Sequence, residues 1–267
     1  MCDVTESGRA NLLIGSALNS DLNGSGGVGV DANREIGDPG VGGPGSDWRS
    51  RGYLPHCESI EAIQHVTFHL ADSLPKTVVE RLDLELKMLP IKKRSIERRK
   101  RLEAWVDTGH GSCVLQQPAI AEMVQNTLLH FDWERYFLLA WAVMPNHVHA
   151  LFERKEGWTV GKIVGSWKKF TARRICGYLR EADRVSSGKR NLNGSGGAKD
   201  DANREIGGPG VGPGAPVWHR EYWDRYMRNE DHLREMIEYI HQNPVKAGLV
   251  RYAEGWEWSS AYSRGSA

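Results

Sequence analysis

Trp141-Ala-Val-Met-Pro-Asn-His147-Val148-His149-Ala-Leu-Phe152 places two histidines one residue apart inside an apolar run of strand character. Successive strand side chains point to opposite faces, so His147 and His149 share one face while Val148 and Ala150 turn to the other. Met144-Pro145-Asn146 separates this run from a second one, Tyr136 to Val143, and has the composition of a tight turn. The segment therefore predicts two antiparallel strands with the histidine pair at the start of the second. Two imidazoles held side by side can grip one metal ion, or they can simply edge a sheet.

The pattern extends outward from this strand pair. Ile63 to Leu70 has β-branched and aromatic residues at strand spacing, and Pro75 opens a helical run to about Met88. A highly charged helix is predicted from Lys92 to Val106, stopping at Gly109. Pro118 opens a third, with Ile120, Met123, Val124, Thr127, Leu128 and Phe131 on one face. A long helix from Val160 to Ala182 is expected to bury Ile163, Val164, Trp167, Phe170, Ile175, Tyr178 and Leu179 and to expose Lys162, Lys169, Arg173 and Arg180. Val217 to Met227 reads as a strand or extended arm. Asn229 or Asp231 then caps a last helix that Pro244 should end at Asn243. This order predicts an α+β domain, an antiparallel sheet with helices on one face and the other face open to a ligand.

The chain has 267 residues, 40% of them apolar, enough for one sizeable core. No apolar stretch approaches a membrane span, and the N-terminus lacks a basic region followed by an apolar core, so a soluble cytoplasmic protein with no membrane partner is expected. Cys2, Cys57, Cys113 and Cys176 are scattered singly, against a disulfide framework or a zinc knuckle. The net charge of +1 conceals two basic stripes. Lys92, Lys93, Arg94, Arg98, Arg99, Lys100 and Arg101 surround a single acid, Glu97. Lys162, Lys168, Lys169, Arg173, Arg174 and Arg180 face none at all, and it is this second stripe that favours phosphate contacts.

An internal repeat joins Leu22-Asn-Gly-Ser-Gly-Gly and Asp31-Ala-Asn-Arg-Glu-Ile-Gly37 to Leu192-Asn-Gly-Ser-Gly-Gly and Asp201-Ala-Asn-Arg-Glu-Ile-Gly207. Both copies are too poor in apolar side chains to offset the entropy of ordering, so they read as disordered Gly-rich inserts. Residues 1–50 are taken as one such segment. Residues 53–262 are taken as one folded domain, interrupted by a flexible insert at 186–215.

The last helix carries Glu238-Tyr239-Ile-His-Gln-Asn243-Pro-Val-Lys246-Ala-Gly248. Tyr239 and Asn243 are four apart, so a phenol and an amide lie on one helical face. If that helix packs beside the histidine strand, Asn243 can complete a two-His, one-oxygen metal site, with Tyr239 within reach of a metal-bound phosphate. His65 and His69 share a strand face and are read as structural or DNA-facing.

Met-Pro-Asn-His-Val-His, then Ser166-Trp-Lys-Lys-Phe-Thr171, then Trp218-x-Arg220-Glu-Tyr-Trp-Asp-Arg225-Tyr-x-Arg228, then Tyr239-x-x-x-Asn-Pro-Val-Lys246 resemble the HUH single-tyrosine transposases, in particular the REP-associated group. The resemblance spans roughly residues 53 to 262. It implies a ferredoxin-like domain that binds single-stranded DNA hairpins as monomer or homodimer, cleaves them with a divalent metal, Mg²⁺ or Mn²⁺, and joins DNA covalently to a tyrosine. Carried over by position, Tyr239 is the nucleophile, and His147, His149 and Asn243 are metal ligands. Lys162, Lys168, Lys169, Arg173, Arg174, Arg220, Arg225, Arg228 and Lys246 are the expected DNA contacts. Tyr178, Tyr222 and Tyr226 compete for the nucleophile role. A non-catalytic hairpin-binding protein and a nuclease that uses water are the rival readings.

Overall fold

Strand alternation and the spacing of apolar helix residues together build one sheet with two clad faces. The protein is described from a computed structural model that covers residues 48–50, 55–57, 63–191 and 215–263. The glycine-rich repeats, and so the expected disorder of residues 1–50 and most of 186–215, lie outside these residues. Two short strands, β1 (Trp48–Ser50) and β2 (Pro55–Cys57), pair with each other. The main sheet contains β3 (Ile63–His69), β4 (Tyr136–Val143), β5 (His147–Arg154) and β6 (Trp223–Tyr226) in the order β4-β5-β3-β6, every pair antiparallel. Helices α1 (Lys76–Leu86), α2 (Ile91–Asp107) and α3 (Pro118–Leu129) follow β3, α4 (Val160–Asn191) follows β5, and α5 (Glu230–Lys246) follows β6. Strand, helices, two strands, helix, strand in this spatial order is the ferredoxin-like arrangement.

Register sorts the side chains. Phe68 pairs with Val148 and Val66 with Ala150, and these four face α3 and α4 together with Phe152 and Leu138. Trp167 of α4 lies in the middle of this core and is buried. Its indole N–H donates to the Tyr136 hydroxyl at 2.9 Å, which donates to Leu128 O at 2.6 Å, so neither polar tip is left unpaired.

The other face does not stay open, which corrects the one-sided arrangement expected from the element order. Ala140, Ala142 and Leu151 receive Met236 and Ile240 of α5. The two alanines lie in an apolar run that reads as uniformly hydrophobic, and their small side chains let a helix approach this face closely. Trp223 of β6 packs with Leu82, Leu86, Leu102 and Val106 of the α1–α2 hairpin.

Helix ends follow local chemistry with two exceptions. The Asn229 side chain accepts from His232 N at 2.8 Å and caps α5. Pro244 does not end that helix, which continues to Lys246. A proline in the last turn removes only one backbone hydrogen bond, so the stop falls instead at Gly248 (φ 70°). There Gly248 N donates to Val245 O and Leu249 N to Pro244 O, each at 2.9 Å. Asn243 is therefore an internal helix residue rather than a cap. The second exception is α4, which runs past Ala182 to Asn191, and whose Phe170 and Tyr178 are 53% and 45% exposed rather than buried.

Candidate active site

The turn between β4 and β5 fixes more than the chain reversal. Asn146 is wholly buried, and its amide Nδ2 donates to Val106 O at 3.0 Å and to His110 O at 2.9 Å. With both donor hydrogens engaged by carbonyls, the amide oxygen must be the atom that faces His147 Nδ1 at 2.7 Å. Nδ1 then carries the proton, and His147 Nε2 presents a lone pair to the site.

His149 Nε2 lies 3.0 Å from His147 Nε2, and His149 Nδ1 lies 3.0 Å from Thr67 Oγ1 and 3.1 Å from His65 Nε2. In the tautomer that donates Nδ1–H to Thr67, both Nε2 lone pairs converge on one point. Burial holds the imidazoles neutral: it lowers His147 well below its ordinary range, with His149 the next cause, and brings His149 to about 3. Burial lowers His65 as well, and the neighbouring His149 adds to it.

Asp107 is the residue that the sequence pattern missed. It ends α2, and the grip of Asn146 on the preceding carbonyl brings that helix end to the histidines. Its Oδ1 lies 3.5 Å from His147 Nε2, and its Oδ2 accepts from the Tyr239 hydroxyl at 3.3 Å. Burial, and then the Glu103 carboxylate one turn earlier, raise Asp107 to about 7 against the opposing hydrogen bond from Tyr239 and the charge of Lys246. As one acid at the end of a charged helix it carries no motif. Its position just after apolar Val106 and before the Gly109 stop is the only local hint.

Helix α5 brings Tyr239 and Asn243 to the same place. Asn243 Nδ2 lies 3.0 Å from His149 Nε2, and rotating the amide presents its oxygen there instead. The Tyr239 ring meets His149 edge-on at 5.5 Å and His65 at 6.0 Å, with Lys246 Nζ 5.3 Å from its centroid. Burial, followed by the Asp107 and Glu103 carboxylates, raises the phenol strongly; its bond to Asn243 and the Arg225 charge oppose the rise. The phenol is thus neutral as it stands.

Asp107, His147 and His149 offer one ligand atom each, all within 4.8 Å of one another. Two ligands bound side by side to one ion at about 2.1 Å stand about 3.0 Å apart, which matches the observed Nε2 separation. Neutral imidazoles, a carboxylate and an amide oxygen form a donor set that fits a divalent cation.

The expected DNA contacts disperse. Lys162, Lys169, Arg173 and Arg174 are exposed on α4, across the sheet from the histidines. Lys168 donates to His219 O at 2.7 Å and Arg220 O at 2.8 Å, and burial lowers it to about 8. Arg220 is exposed, with Glu221 3.6 Å away. Arg225 is mostly buried 3.7 Å from Glu103, and burial, then the Arg99 and Arg228 charges, lower it against the pull of Glu103, while Lys246 borders Tyr239. Of the competing tyrosines, Tyr178 lies on α4 and Tyr222 packs against the α3–α4 core, both across the sheet from the histidines, while Tyr226 ends β6. His69 is buried between His219 at 4.6 Å and Trp223 at 5.0 Å.

Residues 97–189, which hold Asp107 and both site histidines, match the family model described as "Transposase IS200 like". The chain is similar to the IS200-like transposases. It is also similar to the REP-associated tyrosine transposase of Escherichia coli K12, 21% identical over 140 residues that make up 52% of this chain and 63% of that protein. A Haemophilus influenzae protein named, provisionally, as a REP-associated tyrosine transposase is 36% identical over 44 residues, 16% of this chain and 25% of the relative. The chain thus spans less than two thirds of either curated relative it matches. A solved structure of a REP-associated tyrosine transposase bound to a REP hairpin aligns with a TM-score of 0.42 at 16% identity, covering 76% of this chain and 79% of that one. Tyr239 and Asn243 lie beyond the segment that matches the family model. Among the described residues no helix is long and apolar enough to cross a membrane.

Proposed function

We infer that this chain is a transposase-type DNA strand transferase: it binds single-stranded DNA hairpins, cleaves them through Tyr239 and rejoins them. The observation that carries this reading is the meeting of Tyr239 with His147, His149 and Asp107, chemistry-bearing residues brought together from three separate elements. His147, His149 and Asp107 would hold a divalent cation, Mg²⁺ or Mn²⁺, with Asn243 as a further oxygen. When bound, that cation supplies positive charge that polarises a phosphate oxygen and favours the ionised phenol.

The residues themselves do the rest. Attack forms the Tyr239 Oη–phosphorus bond and breaks the phosphorus–O3′ bond, leaving a 5′-phosphotyrosine and a free 3′-hydroxyl. The phenol proton leaves toward Asp107 Oδ2, which already accepts its hydrogen bond, and the departing O3′ takes up a proton. The phosphotyrosine keeps the bond energy, so a 3′-hydroxyl from another strand can reverse the step. Lys246, 5.3 Å from the Tyr239 ring, would pair with the phosphate backbone.

Incubation with labelled hairpin DNA and Mn²⁺ should yield a protein–DNA adduct that survives denaturation, and Tyr239→Phe should eliminate it. Cleavage without adduct would assign the chain to water-using nucleases. Binding without cleavage would make it a non-catalytic hairpin binder.

A further inference from the structure

Across the sheet from the histidines, α3 and α4 enclose a groove of about 610 Å³. Its wall is apolar where Met123, Phe131 and Trp167 meet, and Phe170 stands at its edge with half of its surface in water. An exposed phenylalanine at the edge of an apolar groove calls for an occupant. Arg174, one turn further along α4, lines the same groove, and Tyr178, a turn beyond, is exposed on the same stripe.

Charge identifies the occupant. Residues 162–180 contain no acid, and among the described residues Lys169, Arg173 and Arg174 make no ion pair. An aromatic, a cation and an aromatic spaced four apart, beside an apolar slot, match the stacking platform and charged track that hold unpaired nucleotides. Asn126 and Glu122 on the opposite wall can hydrogen-bond the edge of a base. A second copy of the chain fits less well, because a two-fold contact through α4 would set these cations against their own images.

We propose that the α3–α4 groove is a second DNA contact, in which an unpaired base stacks on Phe170 while Arg173 and Arg174 hold its flanking phosphates. This deepens the strand-transferase reading, since it gives the single-stranded DNA a contact remote from Tyr239.

The test uses the full chain and a fluorescent oligothymidylate, with affinity read by anisotropy over a series of salt concentrations. Phe170→Ala should weaken binding on the order of tenfold with an unchanged salt slope, and Phe170→Tyr should restore it. Arg174→Gln should lower affinity and reduce the salt slope by about 0.7. An oligothymidylate carrying 5-iododeoxyuridine should photocrosslink to α3–α4 peptides identified by mass spectrometry. Unchanged affinity in Phe170→Ala, with a wild-type thermal transition and no crosslink to this region, overturns the proposal. A concentration-dependent dimer that Phe170→Ala dissolves, with DNA affinity unaltered, reassigns the groove to self-association. The two readings fail separately. Wild type that binds through the groove but forms no adduct defeats strand transfer alone, whereas adduct formation with indifferent Phe170 variants defeats the groove alone.

Discussion

Helices α2 and α4 both carry dense positive charge and use it in opposite ways. In α2 the guanidinium groups are engaged by acids and backbone carbonyls. Arg98 pairs with Asp83 at 2.6 Å, Arg101 with Glu97 at 2.7 Å, and Arg99 with Glu103 at 2.8 Å while also donating to Asp224 O at 2.9 Å on β6. Arg94 donates to Leu89 O and Lys87 O. These contacts tie α2 to α1 and to the edge of the sheet, which holds Asp107 at the histidines. In α4 the cations at 162, 169, 173 and 174 face water without partners among the described residues. Composition alone cannot separate the two cases. What separates them is whether acids and carbonyls from other elements stand within reach.

If α2 serves the chemistry, Asp107→Ala should give the largest effect: adduct formation at saturating DNA slowed on the order of a hundredfold, with DNA affinity little changed. A rate within threefold of wild type would remove Asp107 from the reaction. Arg99→Ala should next cost about 1–3 kcal/mol in urea unfolding, because it leaves a β6 carbonyl without its donor and Glu103 with Arg225 alone. Its salt slope for DNA should stay that of wild type, and a changed slope would move α2 into the DNA track. Replacing Lys169 and Arg173 together by glutamine should have the converse outcome, a salt slope reduced by about 1.4 for single-stranded DNA and no loss of stability. A drop in the unfolding midpoint would mean that α4 also spends its charge on the fold. The smallest effect belongs to Arg81→Ala, an exposed pair with Glu85 within α1, which should shift stability by less than about 0.5 kcal/mol.

The same contrast explains how much was legible beforehand. Both strands flanking Met144, the start of α3 at Pro118 and a cap at Asn229 or Asp231, of which Asn229 is the one used, followed from residues adjacent in the chain. The pairing of His147 with His149 followed from strand alternation, and that of Tyr239 with Asn243 from helical spacing. Their convergence was conditional on the last helix packing beside the histidine strand, and it is α5, on the face expected to stay open, that brings them together through Met236 and Ile240.

Short-range pattern failed where a residue's neighbours come from far along the chain. Phe170 reads as core by periodicity, yet it sits at the edge of α3, where the apolar cover stops short of it. Pro244 reads as a stop, although its place in the last turn makes it tolerable. Asp107 reads as one acid among many. Its meeting with Tyr239, 132 residues away, depends on a buried asparagine in the β4–β5 turn that holds the end of α2 by two backbone carbonyls. Periodicity is a property of neighbouring residues and sets which face a side chain occupies. Which faces meet, and therefore which carboxylate joins the histidines and which cations remain free for phosphate, depends on packing between distant elements.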